Sequence, residues 1–271
     1  MRVRLKGRLR LPDGHMLRKI EESLRVVSRH EREVLRLVAF EVFIMPDGPD
    51  ELSLAVPLWP DADDWTPHIA ALAEAFAARG KQPRLEFFQE LHPRLPAALE
   101  AAGFACEMRA PVMALSVDGY PVPGESQVDV GYHRLDGEDE PLLRRYLQRQ
   151  SVAFGGAEDE SALGWLPTLR SGLNGGTVLG AALEREGQLL AGAVIQIGGG
   201  IGELAGVWTD PAWRQQGLAF ALCRRLLGEY ASEGYSLCWL SAAEGAQRLY
   251  EKLGFERIGT QLNYGRAVPS R

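Results

Sequence analysis

Two stretches of this chain can be laid over each other. Residues 84–115, RLEFFQELHPRLPAALEAAGFACEMRAPVMAL, match residues 236–265, SLCWLSAAEGAQRLYEKLGFERIGTQLNYG, with Gly103-Phe104 and Gly254-Phe255 in register. Upstream, the segment starting at Glu51-Leu52 lies beside the one starting at Glu203-Leu204, and both read as strand-to-helix junctions. Each copy runs from alternating apolar residues into apolar residues three and four apart, then to a glycine, the residue that closes a helix at positive φ. A sequence built this way is constrained to two related α/β units, because each strand-helix-strand repeat needs its own sheet to cover.

The rest of the pattern fills in around the repeat. Residues 15–38 carry helical spacing through Leu17, Ile20, Leu24, Val27, Val34 and Leu35, and FEVFIM and ELSLAVPLW read as a hairpin around PDGPD. Helices are expected over 67–78 and 93–102, and VDGYPVPGESQ reads as a linker. Beyond it comes a strand near 128–134 and a helix announced by Glu138, Asp139, Glu140 and Pro141, where negative charge and a fixed φ favour initiation. A second helix is expected over 160–173. Three strands separated by EG and GGGIG then suggest an antiparallel meander, followed by a helix over 217–232, a strand at SLCWL, a helix over 244–253 and a strand over 256–263. The expected division is a first domain over 1–120, a linker over 121–127 and a second domain over 128–271.

Composition sets the class. The chain has 271 residues, 46% hydrophobic and 24% charged, enough for two ordinary cores. No apolar run approaches the roughly 18 residues of a membrane span, and MRVRLKGRLR is too polar for a signal peptide, so a cytoplasmic protein with no membrane contact is expected. Net charge of −6 argues against nonspecific nucleic-acid binding. The alternation of Arg2, Arg4, Lys6, Arg8 and Arg10 with apolar residues reads as a charged edge strand. Cys106, Cys223 and Cys238 are widely spaced in apolar surroundings and read as buried reduced thiols, and the five histidines show no ligand spacing, so no metal is expected.

The chemistry is concentrated in TDPAWRQQGLAFALCRRLL. A strand ends near Thr209, and Arg214-Gln215-Gln216-Gly217-Leu218-Ala219 leads into a helix with Leu218, Leu222, Leu226 and Tyr230 on one stripe. A helix start presents unsatisfied N–H groups and partial positive charge, which suits phosphate, and glycine lets the backbone approach it closely. Further on, GAQRLYEKLGFERIG puts Ala246, Leu249, Tyr250 and Leu253 on one helical face.

These two segments resemble the cofactor motifs of the GNAT superfamily of N-acetyltransferases. The resemblance implies a fold of two GNAT-like α/β (α+β) domains, each a mixed, mostly antiparallel sheet flanked by helices. It implies that Arg214 to Ala219 hold the pyrophosphate of acetyl-CoA and that Val207, Trp208 and Thr209 line its pantetheine arm. Tyr250 would protonate the departing thiolate, and Glu203 would take a proton from an unidentified primary amine of a small molecule or peptide. SAAEGA departs from the family, which often has asparagine near Ala243 and Glu244. In the first half no glycine falls between Gly48 and Gly80, Asp61, Asp63, Asp64 and Trp65 stand where the phosphate loop would be, and Leu99 aligns with Tyr250. A degenerate or truncated domain that binds no CoA is therefore expected there. The alternative is a non-catalytic acyl-CoA-responsive binding or regulatory module.

Overall fold

A computed structural model of the chain describes residues 13–30, 32–46, 50–58, 61–121 and 130–266. The basic alternation over residues 2–10, the tip of the PDGPD turn and most of the expected linker lie outside them. The first half contains α1 (Asp13–Ser28), β1 (Glu33–Arg36), β2 (Phe40–Ile44), β3 (Leu54–Pro57), α2 (Thr66–Ala77), β4 (Arg84–Phe88), α3 (Leu95–Ala101) and β5 (Phe104–Ser116). The second half contains β6 (Gly131–Arg134), α4 (Glu140–Ala153), α5 (Leu166–Asn174), β7 (Val178–Arg185), β8 (Gln188–Gly198), β9 (Ile201–Thr209), α6 (Leu218–Ser232), β10 (Leu237–Ser241), α7 (Gln247–Leu253) and β11 (Glu256–Arg266). The architecture is mixed α/β, with sheets flanked by helices.

Two compact units emerge, drawn differently from the 1–120 and 128–271 division expected from sequence. Unit N is built within residues 10–113, 241–245 and 257–271, and unit C within 114–240 and 246–256. The difference is β11. Its residues Gln261 to Gly265 pair antiparallel with Phe88 to Arg84 of β4, so the strand after α7 completes the sheet of unit N. Leu262 and Tyr264 are buried there in a core with Phe40, Trp65, Phe87 and Leu99. Tyr264 stacks on Phe87 at 5.9 Å and donates to Glu100 at 2.9 Å.

Within unit N, β2 pairs antiparallel with β1 and β3, and β3 pairs parallel with β4. Unit C repeats the pattern: β7, β8 and β9 form the expected meander, and β9 pairs parallel with β10. Helical spacing over 15–38 misjudged its second part. Val34 and Leu35 belong to β1, whose pairing with β2 outweighs local preference. The helix expected over 160–173 is likewise two elements, a 3₁₀ turn at Glu160–Trp165 and then α5, with Pro167 in the first turn of the new helix. Cys106 is exposed, contrary to expectation, while Cys223 and Cys238 are buried free thiols; burial pushes the Cys223 thiol up to about 12.

Close packing in unit C places Trp208 of β9 against Tyr146 of α4, with ring centroids 5.6 Å apart. Gly192 of β8 makes this possible, because a Cβ there would meet Trp208 Nε1 and a Tyr146 ring carbon, each at 2.4 Å. Gly192→Ala is expected to destabilise unit C by about 1–3 kcal/mol through overpacking. A lowered thermal or urea midpoint checks this, and an unchanged one contradicts it.

Candidate active site

β9 enters the site as a strand whose two edges differ. Along one edge it pairs with β8, through a bulge between Gly192 and Val194. Gly206, at φ +56°, takes up the irregularity, and its carbonyl accepts from Gln150 Nε2 at 3.3 Å. Along the other edge β10 pairs at two positions, Cys238 with Gly202 and Trp239 with Glu203. From Leu204 onward that edge has no strand partner among the described residues.

Strand periodicity then decides which backbone groups face the opening. Asp210 N–H donates to Leu190 O of β8 at 2.8 Å. Alternation directs the backbone of Trp208 to β8 as well and turns the N–H and C=O of Val207 and Thr209 to the open edge. Of the three strand residues expected at the cofactor arm, Trp208 therefore points neither its backbone nor its buried indole there. Its ring supports the strand from behind. Glu203 is half-buried at the last paired position before the strands part.

The loop expected to hold phosphate follows. Asp210 is buried and caps a 3₁₀ turn at Pro211–Trp213, accepting from Ala212 N–H at 2.9 Å. It also forms an ion pair with Arg149 of α4. Gln215 at φ +64° and Gly217 at φ +79° both occupy left-handed backbone, a conformation that costs a non-glycine residue about 1–3 kcal/mol and concentrates at ligand clamps. α6 starts immediately after Gly217 with no side-chain cap, leaving its first N–H groups as donors to an anion. The buried stripe Leu218, Leu222, Leu226 and Tyr230 fixes that helix as the sequence spacing required.

A cavity of about 770 Å³ opens at this point. Of the residues expected to hold the cofactor, Thr209, Arg214, Gln215, Gly217, Leu218 and Ala219 line it, and Val207, Trp208 and Gln216 do not. Arg214 turns its guanidinium partly away, donating to Ala153 O at 2.9 Å and Thr209 O at 3.4 Å, so it braces the loop against the end of α4. Trp213, Phe220 and Lys252 also line the cavity and were not singled out from sequence, and Leu249, read only as part of the apolar face of α7, lines it too. The three-residue spacing of Leu249 and Lys252 put both on one face of α7 and was the available signal.

Tyr250 lies between them on α7. It is 7% exposed, meets Phe255 edge-on at 6.0 Å, and its hydroxyl makes no hydrogen bond to another described residue. Burial raises its pKa, which keeps the phenol protonated through the neutral range. Among the described residues no group of His, Cys, Asp and Glu side chains is placed to hold a metal ion, and no helix is long and apolar enough to cross a membrane.

Asp210 was not identified from sequence, yet it ties the loop to α4. Asp210→Ala would leave the partly buried Arg149 with only the exposed Glu158 as partner and remove a turn cap. A loss of about 3 kcal/mol in stability is expected. Equilibrium unfolding tests it, and a loss below about 1 kcal/mol would deny the pair its anchoring role.

An open strand edge running into an uncapped helix start suits an extended anionic ligand. The sequence model of the acetyltransferase (GNAT) family matches residues 140–255. Residues 140–255 are thus similar to the GNAT family of acetyltransferases.

A [ribosomal protein bS18]-alanine N-acetyltransferase of Escherichia coli strain K12 is 29% identical over 106 residues, covering 38% of this chain and 72% of that protein. The corresponding protein of Haemophilus ducreyi is 36% identical over 58 residues, covering 20% and 40%. Over nearly the whole chain, the fold is similar to that of a GCN5-related N-acetyltransferase from Kribbella flavida, with TM-score 0.74 and 21% identity over 94% of this chain and 96% of the other. It is also similar to that of a tandem GNAT protein from the clavulanic acid biosynthesis pathway, with TM-score 0.65 and 13% identity over 96% of each.

Proposed function

We propose that the GNAT segment transfers an acetyl group directly from acetyl-CoA to a primary amine in the cytoplasm. The observation that carries the reading is the continuous path from the open edge of β9, at Val207 and Thr209, into the uncapped start of α6. The strand edge would hold the amides of the pantetheine arm and the oxygen of the thioester, where fixed donors stabilise developing negative charge. The N–H groups from Gln215 to Ala219 would hold the pyrophosphate. Glu203, half-buried where the strands diverge, would remove the proton that the attacking amine must lose. Tyr250, kept protonated by burial, would supply one to the sulfur as the thioester bond breaks.

Unit N fits a degenerate copy that does not bind CoA. The start of α2 corresponds to that of α6, but there Asp64 Oδ1 already accepts from Thr66 N–H at 2.9 Å. Asp61 and Asp63 accept from Arg94, and Trp65 is packed against Phe40 at 5.4 Å. The chain's own carboxylate thus occupies the place of an anion.

On the acceptor side, the acidic segment at 158–160 is largely engaged. Glu158 pairs with Arg149, Glu160 with Arg144, and Asp159 caps the 3₁₀ turn through Ser161 N–H. The same stretch exposes Phe154 and Trp165. Because the E. coli relative is named for an alanine of a ribosomal protein, peptides with a free N-terminal amine head the acceptor panel, followed by amino acids and aminoglycosides. Acetyl-CoA is expected to raise the melting temperature, and at least one amine to release free CoA thiol with acetylated product. The absence of any thermal shift with CoA or acyl-CoA would overturn the reading.

A further inference from the structure

We infer that Lys252 recognises the 3′-phosphate of the coenzyme, a group separate from the pyrophosphate held by the loop. The inference rests on the acetyl-CoA reading and adds a specificity determinant to it. The cavity has two walls of different character. One is the loop and the start of α6, which offer neutral backbone donors at Gln215 to Ala219; the other is α7, which offers Leu249 and Lys252. Backbone N–H groups in a row suit the two linked phosphates of a diphosphate. The remaining phosphate is a monoester whose second pKa lies near ~6, so it carries nearly two charges at neutral pH, and it calls for a full positive charge.

Lys252 is suited to that place by lining the cavity with an unengaged charge. Arg144, Arg145, Arg149 and Arg225 of unit C are engaged by Glu140, Glu184, Asp210 and Glu229, and Arg214, the other basic residue of the cavity wall, is turned onto the Ala153 and Thr209 carbonyls. Lys252 is exposed and makes no ion pair with a described residue. It stands in the last turn of α7, where the helix dipole favours a cation without neutralising it. Arg248, one turn earlier on α7, also makes no ion pair with a described residue, but it does not line the cavity. A lysine head on a flexible stem meets a phosphate monoester as a point charge, with no need for the planar fork of arginine.

Calorimetric titration of the full chain with CoA and with 3′-dephospho-CoA tests this without an acceptor. Wild type is expected to favour CoA by about tenfold, in line with one charge-assisted contact. Lys252→Ala should cut that preference to less than about twofold, chiefly by weakening CoA, and leave 3′-dephospho-CoA binding nearly unchanged. Lys252→Arg should restore most of it. Arg248→Ala, which removes the same charge from the same helix but away from the cavity wall, should leave the ratio as in wild type. Equal binding of both ligands by wild type, or equal weakening of both by Lys252→Ala, would overturn the inference while leaving the acetyl-CoA reading intact. Failure of wild type to bind either ligand would instead remove the acetyl-CoA reading itself.

Discussion

Tyr250→Phe should lower kcat about 100-fold while changing the affinity for acetyl-CoA less than about twofold, the lower end of what a positioned proton donor contributes. The low end is expected because burial raises the pKa of the phenol above its usual value, making it a weaker acid than one matched to neutral pH. The same shift fixes the sign of the pH dependence. A group with a raised pKa keeps its proton at neutral and mildly alkaline pH, so Tyr250 should cause no loss of kcat below about pH 10, its unperturbed pKa. The substitution removes only an oxygen, and the ring can still meet Phe255. Steady-state kinetics with the best acceptor of the panel, paired with CoA titration, separates the effects. An unchanged kcat would take Tyr250 out of the mechanism, and a loss confined to KM would make it a binding residue.

Deleting residues 257–271 should abolish soluble expression of the whole chain, although the deletion lies outside the matched family segment 140–255. It removes nearly all of β11, and with it Leu262 and Tyr264 from the core of unit N. Full burial of two such side chains contributes about 3–6 kcal/mol, against total stabilities of about 5–15 kcal/mol for single domains. The deletion also strips five paired positions from β4 and removes the partners of Glu86, Glu90 and Glu100. An unpaired strand edge beside an opened core is an aggregation template. Expression with a solubility assay tests this, with Leu262→Ala as a milder variant expected to cost about 2–5 kcal/mol by denaturant unfolding. A soluble, cooperatively folded truncated chain would show that β11 is dispensable to unit N.

Much of the fold was legible because its signals are local. The alternation in β7, β8 and β9, the apolar stripe of α6, and Asp139 and Pro141 at the start of α4 are written within a few residues of where they act. The strand-to-helix turn ending at Gly217 was legible for the same reason, since its glycine and the helix start are consecutive in the chain. The partner of β11 was not legible. Alternation identifies a strand and its buried face but says nothing of which sheet receives it. The parting of β9 from β10 depends on pairing across the sheet, and a bulge at Gly192 to Val194 leaves no composition signature. Asp210 and Lys252 escaped notice because one ordinary aspartate or lysine gains meaning only from Arg149 or a cavity brought to it by folding.

The passage of β11 into unit N has a temporal consequence. The ribosome delivers β1 to β5 early, and the strand that lies against β4 is the last of the described elements to be made. At elongation rates of about 5–20 residues per second the intervening residues take on the order of ten seconds to synthesise. Throughout that time the first half of the chain holds a sheet with a vacant place, unable to complete its fold while unit C is being made. Chaperone dependence, and sensitivity to slowed translation ahead of residue 256, follow from where one strand lies in the order of synthesis.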